Sequence, residues 1–476
     1  MNRFQPPARI FTFLILVLIA QPVSATGEQA ATRFIEYWNS GDSRAAQNEE
    51  VFDPAFVERR GEDGLASIMQ MVYSDNRDIE LHSITINNVD QVQFLATSEM
   101  GNWLEVTLDL APDGRVAGMG IGFTSPPPEH NEKGLTDQQI AARLEQYLDR
   151  RNADGEFSGA VALARNNEIL FASAYGMADI ESGRPNTLDT PINLGSINKL
   201  FTGLAITQLA AQGKLAYTDT VGKYLPDYPN TKVRDTVTVH QLLTHTSGLG
   251  SYWNDEYERV KNELKSTTDF ARLFASEPLD FEPGSEQNYS NSGPVVLGLI
   301  IEAITGEAYY EYIRKNIYQP ARMAHSDHYT KTETASGKAT GYLVPDDGSS
   351  DTLISNQEDL GRMGSAAGGG YASVNDLLNF STALYDGTLI DAENRELMTT
   401  FKVPQPGGGG YAYLCLDGRI NNRRYVGHNG GAPGINAEFS VFPDLGYTVV
   451  VLANTGHQAT PVADQIRQWI AYSDQN

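Results

Sequence analysis

Three consecutive prolines, Pro126-Pro127-Pro128, interrupt this chain and divide it. Proline has no N–H and a fixed φ, so such a run continues neither a helix nor a ladder of strand hydrogen bonds. The sequence on either side is therefore read as two units. The chain's 476 residues allow two domains of ordinary size. We place a small α+β domain at 28–123, a linker at 124–134 and an α/β domain at 135–472.

The first unit opens with a helical pattern from Ala30 to Trp38, with Phe34, Tyr37 and Trp38 on one aromatic face. Strand patterns follow at Ile84–Ile86, Val92–Leu95 and Leu104–Leu108, and Asp113-Gly114 marks a hairpin after the last of them. In pattern this block resembles the cone-shaped α+β domains of the nuclear transport factor two superfamily. It holds no catalytic constellation.

Residues 1–25 read as a secretory signal. Arg3 and Arg9 precede a short apolar run, Ile10–Ala20, and Val23-Ser24-Ala25 is a small-residue cleavage signature with the cut after Ala25. The expected location is periplasmic or secreted. The signal holds no cysteine to carry a lipid, and no later stretch is long and apolar enough for a membrane helix. The net charge is −25, and −27 without the signal, because the signal removes two arginines and no acid. A surface this acidic repels phosphate backbones, so nucleic acid is not an expected partner. The lone cysteine, Cys415, forms no internal disulfide, and no Cys/His cluster has zinc spacing. We expect no metal and no cofactor. The expected partner is a small-molecule or peptide substrate; nothing in the sequence sets an oligomeric state.

The second unit begins with a capping box, Thr136 and Gln139, ahead of a stripe formed by Ile140, Leu144, Tyr147 and Leu148. Val161–Tyr175 reads as a hairpin turning at Asn166-Asn167. A helical middle runs to about residue 400. Tyr411–Leu416 reads as a strand with Cys415 buried in it. Glu438–Leu452 reads as a second hairpin turning at Asp444-Leu445-Gly446, and Thr460–Ile470 as a closing helix. Strands at both ends with helices between them imply one sheet built from the two ends of the unit.

Three short motifs carry chemistry. In Ser196-Ile197-Asn198-Lys199 the hydroxyl and the amine share a helix face. A serine hydroxyl becomes a nucleophile when a neighbouring base takes its proton, and a lysine of depressed pKa supplies one. In Tyr289-Ser290-Asn291 a tyrosine near two cationic groups is read as a phenolate-like base, with an amide beside it to bind a carbonyl. In His428-Asn429-Gly430-Gly431 the glycines let backbone approach a ligand and offer an N–H to an oxyanion. Each motif alone is better explained by a cap, a surface lysine or a glycine turn.

The three motifs together, with separations of 93 and 139 residues, resemble the serine β-lactamase-related family. That family holds class C β-lactamases, D-alanyl-D-alanine carboxypeptidases, D-aminopeptidases and esterases. Ile192–Gly195, Leu242–Leu249, Gly368–Tyr371, Gly427–Gly434 and Val451–Asn454 match as well, and the likeness spans residues 135–470. The resemblance implies an antiparallel sheet flanked by helices, with an all-helical lobe between 215 and 370. It implies that Ser196 is acylated, that Lys199 activates it and that Tyr289 shuttles the proton. Asn291 would orient the substrate amide, and His428 would stand beside a substrate carboxylate. The N–H groups of Ser196 and Gly431 would form the oxyanion hole, with Gly430 beside them. His245 and Ser247 resemble a structural signature.

One departure bears on substrate. The β-lactamases of this type carry Lys-Thr-Gly at the third motif, whereas this chain has His-Asn-Gly, which resembles the peptidase and D-aminopeptidase members. A second departure is Gln319–Met323, where relatives have Pro-Leu-Gly-Met. The reading is an exported serine hydrolase of peptide, amide or ester bonds, with D-amino-acid peptides among its candidate substrates. The alternatives are a β-lactamase and a catalytically inactive penicillin-binding sensor or scaffold. A histidine with its ordinary pKa of about 6.5 would switch charge near neutrality, so His428 is expected to shape the pH–rate profile.

Overall fold

The computed structural model describes residues 25–41, 50–124, 127, 134–333, 337–344, 353–405 and 408–473. Residues 1–24, where all but the last residue of the signal falls, and most of the proline linker lie outside the described residues. The chain separates into two compact units, 1–131 and 132–476.

In the first unit, helices α1 (Ala25–Asn39), α2 (Pro54–Arg60) and α3 (Glu62–Asn76) precede an antiparallel meander. Its strands are β1 (Ile79–Asn87), β2 (Gln91–Ser98), β3 (Trp103–Leu110) and β4 (Val116–Phe123). Strands β2 and β3 alternate strictly, with Val92, Phe94, Ala96, Leu104, Val106 and Leu108 buried. These side chains share a core with Phe34, Tyr37 and Trp38 of α1. The Asp113-Gly114 turn joins β3 to β4, with Gly114 at φ 82°. Helix α1 starts earlier than the aromatic pattern alone indicates, because alanines at 25, 30 and 31 and an acidic Glu28 favour its first turns.

The second unit opens on α4 (Asp137–Ala153), whose capping box at Thr136 and Gln139 is formed on both sides. The hairpin β5 (Gly159–Arg165) and β6 (Glu168–Tyr175) turns at Asn166 and Asn167, with φ of 50° and 67°. The other strands of the main sheet come from the C-terminal part: β7 (Val403–Pro404), β8 (Gly410–Tyr411), β9 (Leu416–Ile420), β10 (Arg423–Ala432), β11 (Ile435–Phe442) and β12 (Tyr447–Ala453). They form one eight-stranded antiparallel sheet in the order β7-β8-β9-β10-β11-β12-β5-β6. β12 pairs with β5, from Tyr447 opposite Arg165 to Ala453 opposite Gly159, so both ends of the unit close the same sheet.

Both faces of this sheet are covered, so β12 is buried at every position. Val450 and Leu452 pack with Phe439 and Ala162 into the large core. On the other side lie α4 and the closing helix α8 (Ala459–Ala471), joined edge to face by Tyr147 and Trp469 at 6.1 Å. Between the sheet strands run α5 (Lys199–Ala211), α6 (Ser292–Thr305) and α7 (Val374–Tyr385), with several shorter helices. The 215–370 region is not wholly helical: Tyr342–Leu343 and Ile354–Ser355 pair as a short ladder. Nor is Tyr411–Leu416 one strand. Residues 412–415 turn tightly between β8 and β9, with Leu414 at φ 53°, and Cys415 is buried in that turn. An apolar run this short does not distinguish a strand from a buried turn.

Candidate active site

Ser196 lies in a 3-10 turn, Gly195–Asn198, that runs directly into α5. With three residues per turn, positions i and i+3 eclipse, so the Ser196 and Lys199 side chains are stacked by backbone geometry alone. Gly195 takes φ 48°, and a Cβ there would stand 2.6 Å from the Gly431 nitrogen. Only glycine permits both.

Helix α5 is apolar nearly all round and is buried on every side. Lys199, its first residue, is therefore carried into the core with no exposed surface. Its Nζ lies 3.0 Å from Ser196 Oγ, 2.9 Å from Asn291 Oδ1 and 2.6 Å from the Ala367 carbonyl. Burial lowers its pKa from 10.5 to about 7. A neutral amine fits these partners: two N–H groups donate to Asn291 and Ala367, and the lone pair accepts the Ser196 hydroxyl proton.

Asn291 stands at the N-cap of α6, yet its side chain caps nothing. Its Oδ1 is committed to Lys199, and Ser290 Oγ accepts from Gly293 N–H in its place at 2.9 Å. Tyr289 lies just before, with Lys199 Nζ 4.8 Å from its ring centroid. The residue is 45% exposed, but desolvation around its hydroxyl pushes the pKa up to about 12, against a smaller pull from nearby Ser196. At neutral pH this is a phenol, not a phenolate. The expectation of two cations beside it is not met: burial holds the neighbouring histidines neutral, and Lys199 is mostly charged only below its pKa of about 7.

His428 lies on β10 opposite Phe439 of β11 and is only 3% exposed. Burial, and then the charge of Lys199, lower its pKa to about 3. The expectation of a histidine that switches near neutrality is therefore corrected: this ring is neutral across the ordinary range. Its Nδ1 lies 2.6 Å from the Asn429 carbonyl and its Nε2 3.0 Å from Tyr411 Oη, so neither nitrogen is left for a substrate carboxylate. Gly430 and Gly431 act differently. A Cβ on Gly430 would come within 1.9 Å of the Leu194 carbonyl, whereas one on Gly431 would meet nothing within 4 Å. Gly430 lets β10 press against the Gly195–Asn198 turn, and Gly431 faces the cavity.

That cavity is bordered by Ser196, Asn291 and Gly431 and by the aromatic residues Tyr252, Trp253, Tyr257 and Tyr329. Trp253 and Tyr257 stack at 6.3 Å. Among the described residues no three His, Cys, Asp or Glu side chains converge as a metal site, and no helix is long and apolar enough to cross a membrane.

The family model described as Beta-lactamase matches residues 144–472. The chain belongs to the beta-lactamase family. The chain is similar to the penicillin-binding protein of Bacillus halodurans, whose crystal structure is 30% identical, with a TM-score of 0.62 over 67% of this chain and 98% of that one. Esterase EstB of Burkholderia gladioli is 38% identical over 205 residues, 40% of this chain and about half, 52%, of its own. A D-stereospecific amidohydrolase from a Streptomyces species is 24% identical, with a TM-score of 0.56 over 69% of this chain and 97% of that one, and shares the fold.

Two contributors to this beta-lactamase-family site were invisible to motif reading. One is the Ala367 carbonyl on Lys199, a backbone atom whose position depends on the glycines after it. Gly370 O accepts from Leu194 N–H at 2.8 Å and Gly369 N–H donates to Gly195 O at 3.1 Å, which ties this segment to the turn that carries Ser196. The Gly368–Tyr371 stretch was the available signal. The other is Tyr411, which no motif marks.

Proposed function

We propose that this protein is an exported serine hydrolase that cleaves peptide, amide or ester bonds through an acyl-enzyme on Ser196. The observation that carries the reading is the buried amine of Lys199, 3.0 Å from Ser196 Oγ, with its pKa brought down to about 7. Neutral Lys199 takes the hydroxyl proton as Ser196 attacks the substrate carbonyl. Tyr289, a phenol over the same amine, passes a proton to the leaving group and is reprotonated from the Lys199 ammonium, so that the pair is neutral again when it activates water for deacylation. The N–H groups of Ser196 and Gly431 receive the oxyanion at the N-terminal end of α5, where the helix dipole favours negative charge. Asn291 presents its amide to the substrate while holding Lys199.

The aromatic wall of Tyr252, Trp253, Tyr257 and Tyr329 supports substrates with a bulky apolar or aromatic acyl group, D-amino-acid derivatives among them. The neutral, fully bonded His428 speaks against β-lactamase activity, because the third motif offers no cation to a penicillin carboxylate. The intact Ser196, Lys199, Tyr289 and Asn291 speak against an inactive scaffold. The sequence of residues 1–25 supports a periplasmic or secreted location.

Labelling tests this directly. Intact-mass spectrometry after fluorophosphonate treatment is expected to show one adduct, absent from Ser196→Ala, while a fluorescent penicillin is turned over slowly or not at all. An adduct that persists in Ser196→Ala overturns the assignment, and rapid penicillin turnover favours the β-lactamase alternative.

A further inference from the structure

His245, Tyr411 and His428 form a continuous buried chain beneath Tyr289. Its four contacts are Ser290 N to His245 Nδ1 at 3.1 Å, His245 Nε2 to Tyr411 Oη at 2.9 Å, Tyr411 Oη to His428 Nε2 at 3.0 Å, and His428 Nδ1 to the Asn429 carbonyl at 2.6 Å. The two ends fix the direction. A backbone N–H only donates, so His245 Nδ1 is the acceptor and its Nε2 carries the proton. A backbone carbonyl only accepts, so His428 Nδ1 carries the proton and its Nε2 accepts. The phenol between them then accepts from His245 and donates to His428. One proton arrangement satisfies every member, and it leaves both rings neutral and in opposite tautomers.

We propose that Tyr411 is a positioning residue for this site: its phenol locks the two imidazoles, and the locked pair holds Tyr289 in place over Lys199. The inference rests on the assignment of Tyr289 to the reaction. The packing supports it. The residues on either side of Tyr289 are both tethered to His245, through Asn288 N–H to its carbonyl at 3.0 Å and Ser290 N–H to its ring. The Tyr289 ring lies on the His245 ring at 4.5 Å, with His428 at 6.3 Å. His245 itself takes φ 57°, a left-handed conformation uncommon outside glycine. The turn after Tyr411 docks on the same loop, Leu414 N–H donating to the Leu243 carbonyl at 3.0 Å.

The titratable groups facing the chain are Lys199, Tyr289 and Cys415. Burial and the charge of Lys199 push both histidines down, which agrees with two uncharged rings. A cation on His428 would set two positive charges about the same phenol.

The test uses the full-length protein with 15N-labelled histidine rings. In the wild type the ring nitrogens are expected to show His245 as the Nε2–H tautomer and His428 as the Nδ1–H tautomer at pH 6, with His245→Gln and His428→Gln spectra giving the assignment. Tyr411→Phe removes only the hydroxyl. Fluorophosphonate labelling of Ser196 should persist in it. Its kcat/KM on a p-nitrophenyl ester should fall about 10-fold, the low end for a group that orients another. The His428 ring should lose its fixed tautomer in this variant, because Nε2 no longer has a donor. An unchanged rate and unchanged ring tautomers in Tyr411→Phe overturn the proposal. So does a wild-type spectrum with either histidine protonated or in the other tautomer, a result that does not depend on the variant folding. If Ser196 is never labelled, the catalytic assignment fails, while the spectrum still decides whether the chain exists.

Discussion

Lys199 Nζ and Ser196 Oγ are 3.0 Å apart because one turn of 3-10 helix stacks them, and the same turn delivers the lysine into the core. The proposed nucleophile and its proposed base are thus set by one local backbone choice, and the depth of α5 sets the basicity of the amine. Desolvation disfavours the ammonium, and the partial positive charge at the start of α5 acts in the same direction.

The first prediction is a rising limb in kcat/KM with an apparent pKa near 7, from deprotonation of Lys199. The sign follows from its role: the neutral amine is the base, so activity increases as pH rises through that value and is lost below it. Lys199→Arg cannot release its proton and should lose about 10³-fold in turnover. Assays of an ester substrate between pH 5 and 9 check both. A flat profile with an active arginine variant would remove Lys199 from the mechanism.

The third motif predicts a contrast between neighbouring glycines. Gly430→Ala would drive a methyl group into the Leu194 carbonyl, 1.9 Å away, and push β10 off the nucleophile turn. It should lower stability by about 1–3 kcal/mol and abolish labelling of Ser196. Gly431→Ala meets open space and should leave the melting temperature near that of the wild type while hindering substrates. Thermal melts of the two proteins, side by side, are the measurement; equal melting temperatures would contradict the close approach.

The chemistry was more legible in the sequence than its tuning. Ser196, Lys199, Tyr289 and Asn291 fall into recognisable local patterns, and the turns at Asn166-Asn167 and Asp113-Gly114 follow from residues that tolerate positive φ. The neutrality of His428 was not legible, because it arises from β11 and the core closing over the ring, contacts between residues far apart in the chain. Tyr411 was hidden for a related reason. It sits in a two-residue strand before a tight turn, and its importance lies in reaching His245, 166 positions away. Backbone acceptors such as the Ala367 carbonyl leave no residue-type signal at all.

The two units carry separate hydrophobic cores, one built on Phe34, Phe52 and Phe94 and the other on α5, α6 and the large sheet. We predict that a chain beginning at Glu129 folds and keeps fluorophosphonate labelling of Ser196, because every group assigned to the reaction lies after residue 190. Circular dichroism and intact-mass labelling check this. A truncated chain that is folded but unreactive would place part of the site in the first unit.

The last prediction concerns His428→Lys, the change that would make the third motif resemble that of the β-lactamases. The sequence alone favours a gain of penicillin reactivity. The structure argues for a loss. The ring is buried, its two nitrogens are bonded to Tyr411 and Asn429, and among the described residues the nearest cation is Lys199. A lysine here would carry a second ammonium into that space with no carboxylate to meet it, at a cost of about 3 kcal/mol or more for an unpaired buried charge. The wild-type histidine already reports the same sensitivity. Its pKa is about 3 in the folded chain against an ordinary 6.5, so the folded state binds fewer protons between those values. Its contribution to stability is therefore complete above pH 6.5 and is lost progressively as the pH falls toward 3. His428→Gln should flatten that part of the curve in urea melts at pH 4, 5 and 7, and His428→Lys should melt below the wild type at all three. Penicillin turnover by His428→Lys should stay at the wild-type level or lower, and its esterase rate should fall at least 10-fold as the added charge disturbs Tyr289 and raises the cost of protonating Lys199. A lysine variant as stable as the wild type and newly able to hydrolyse penicillin would show that the third motif opens toward the cavity, with the ring free to carry charge.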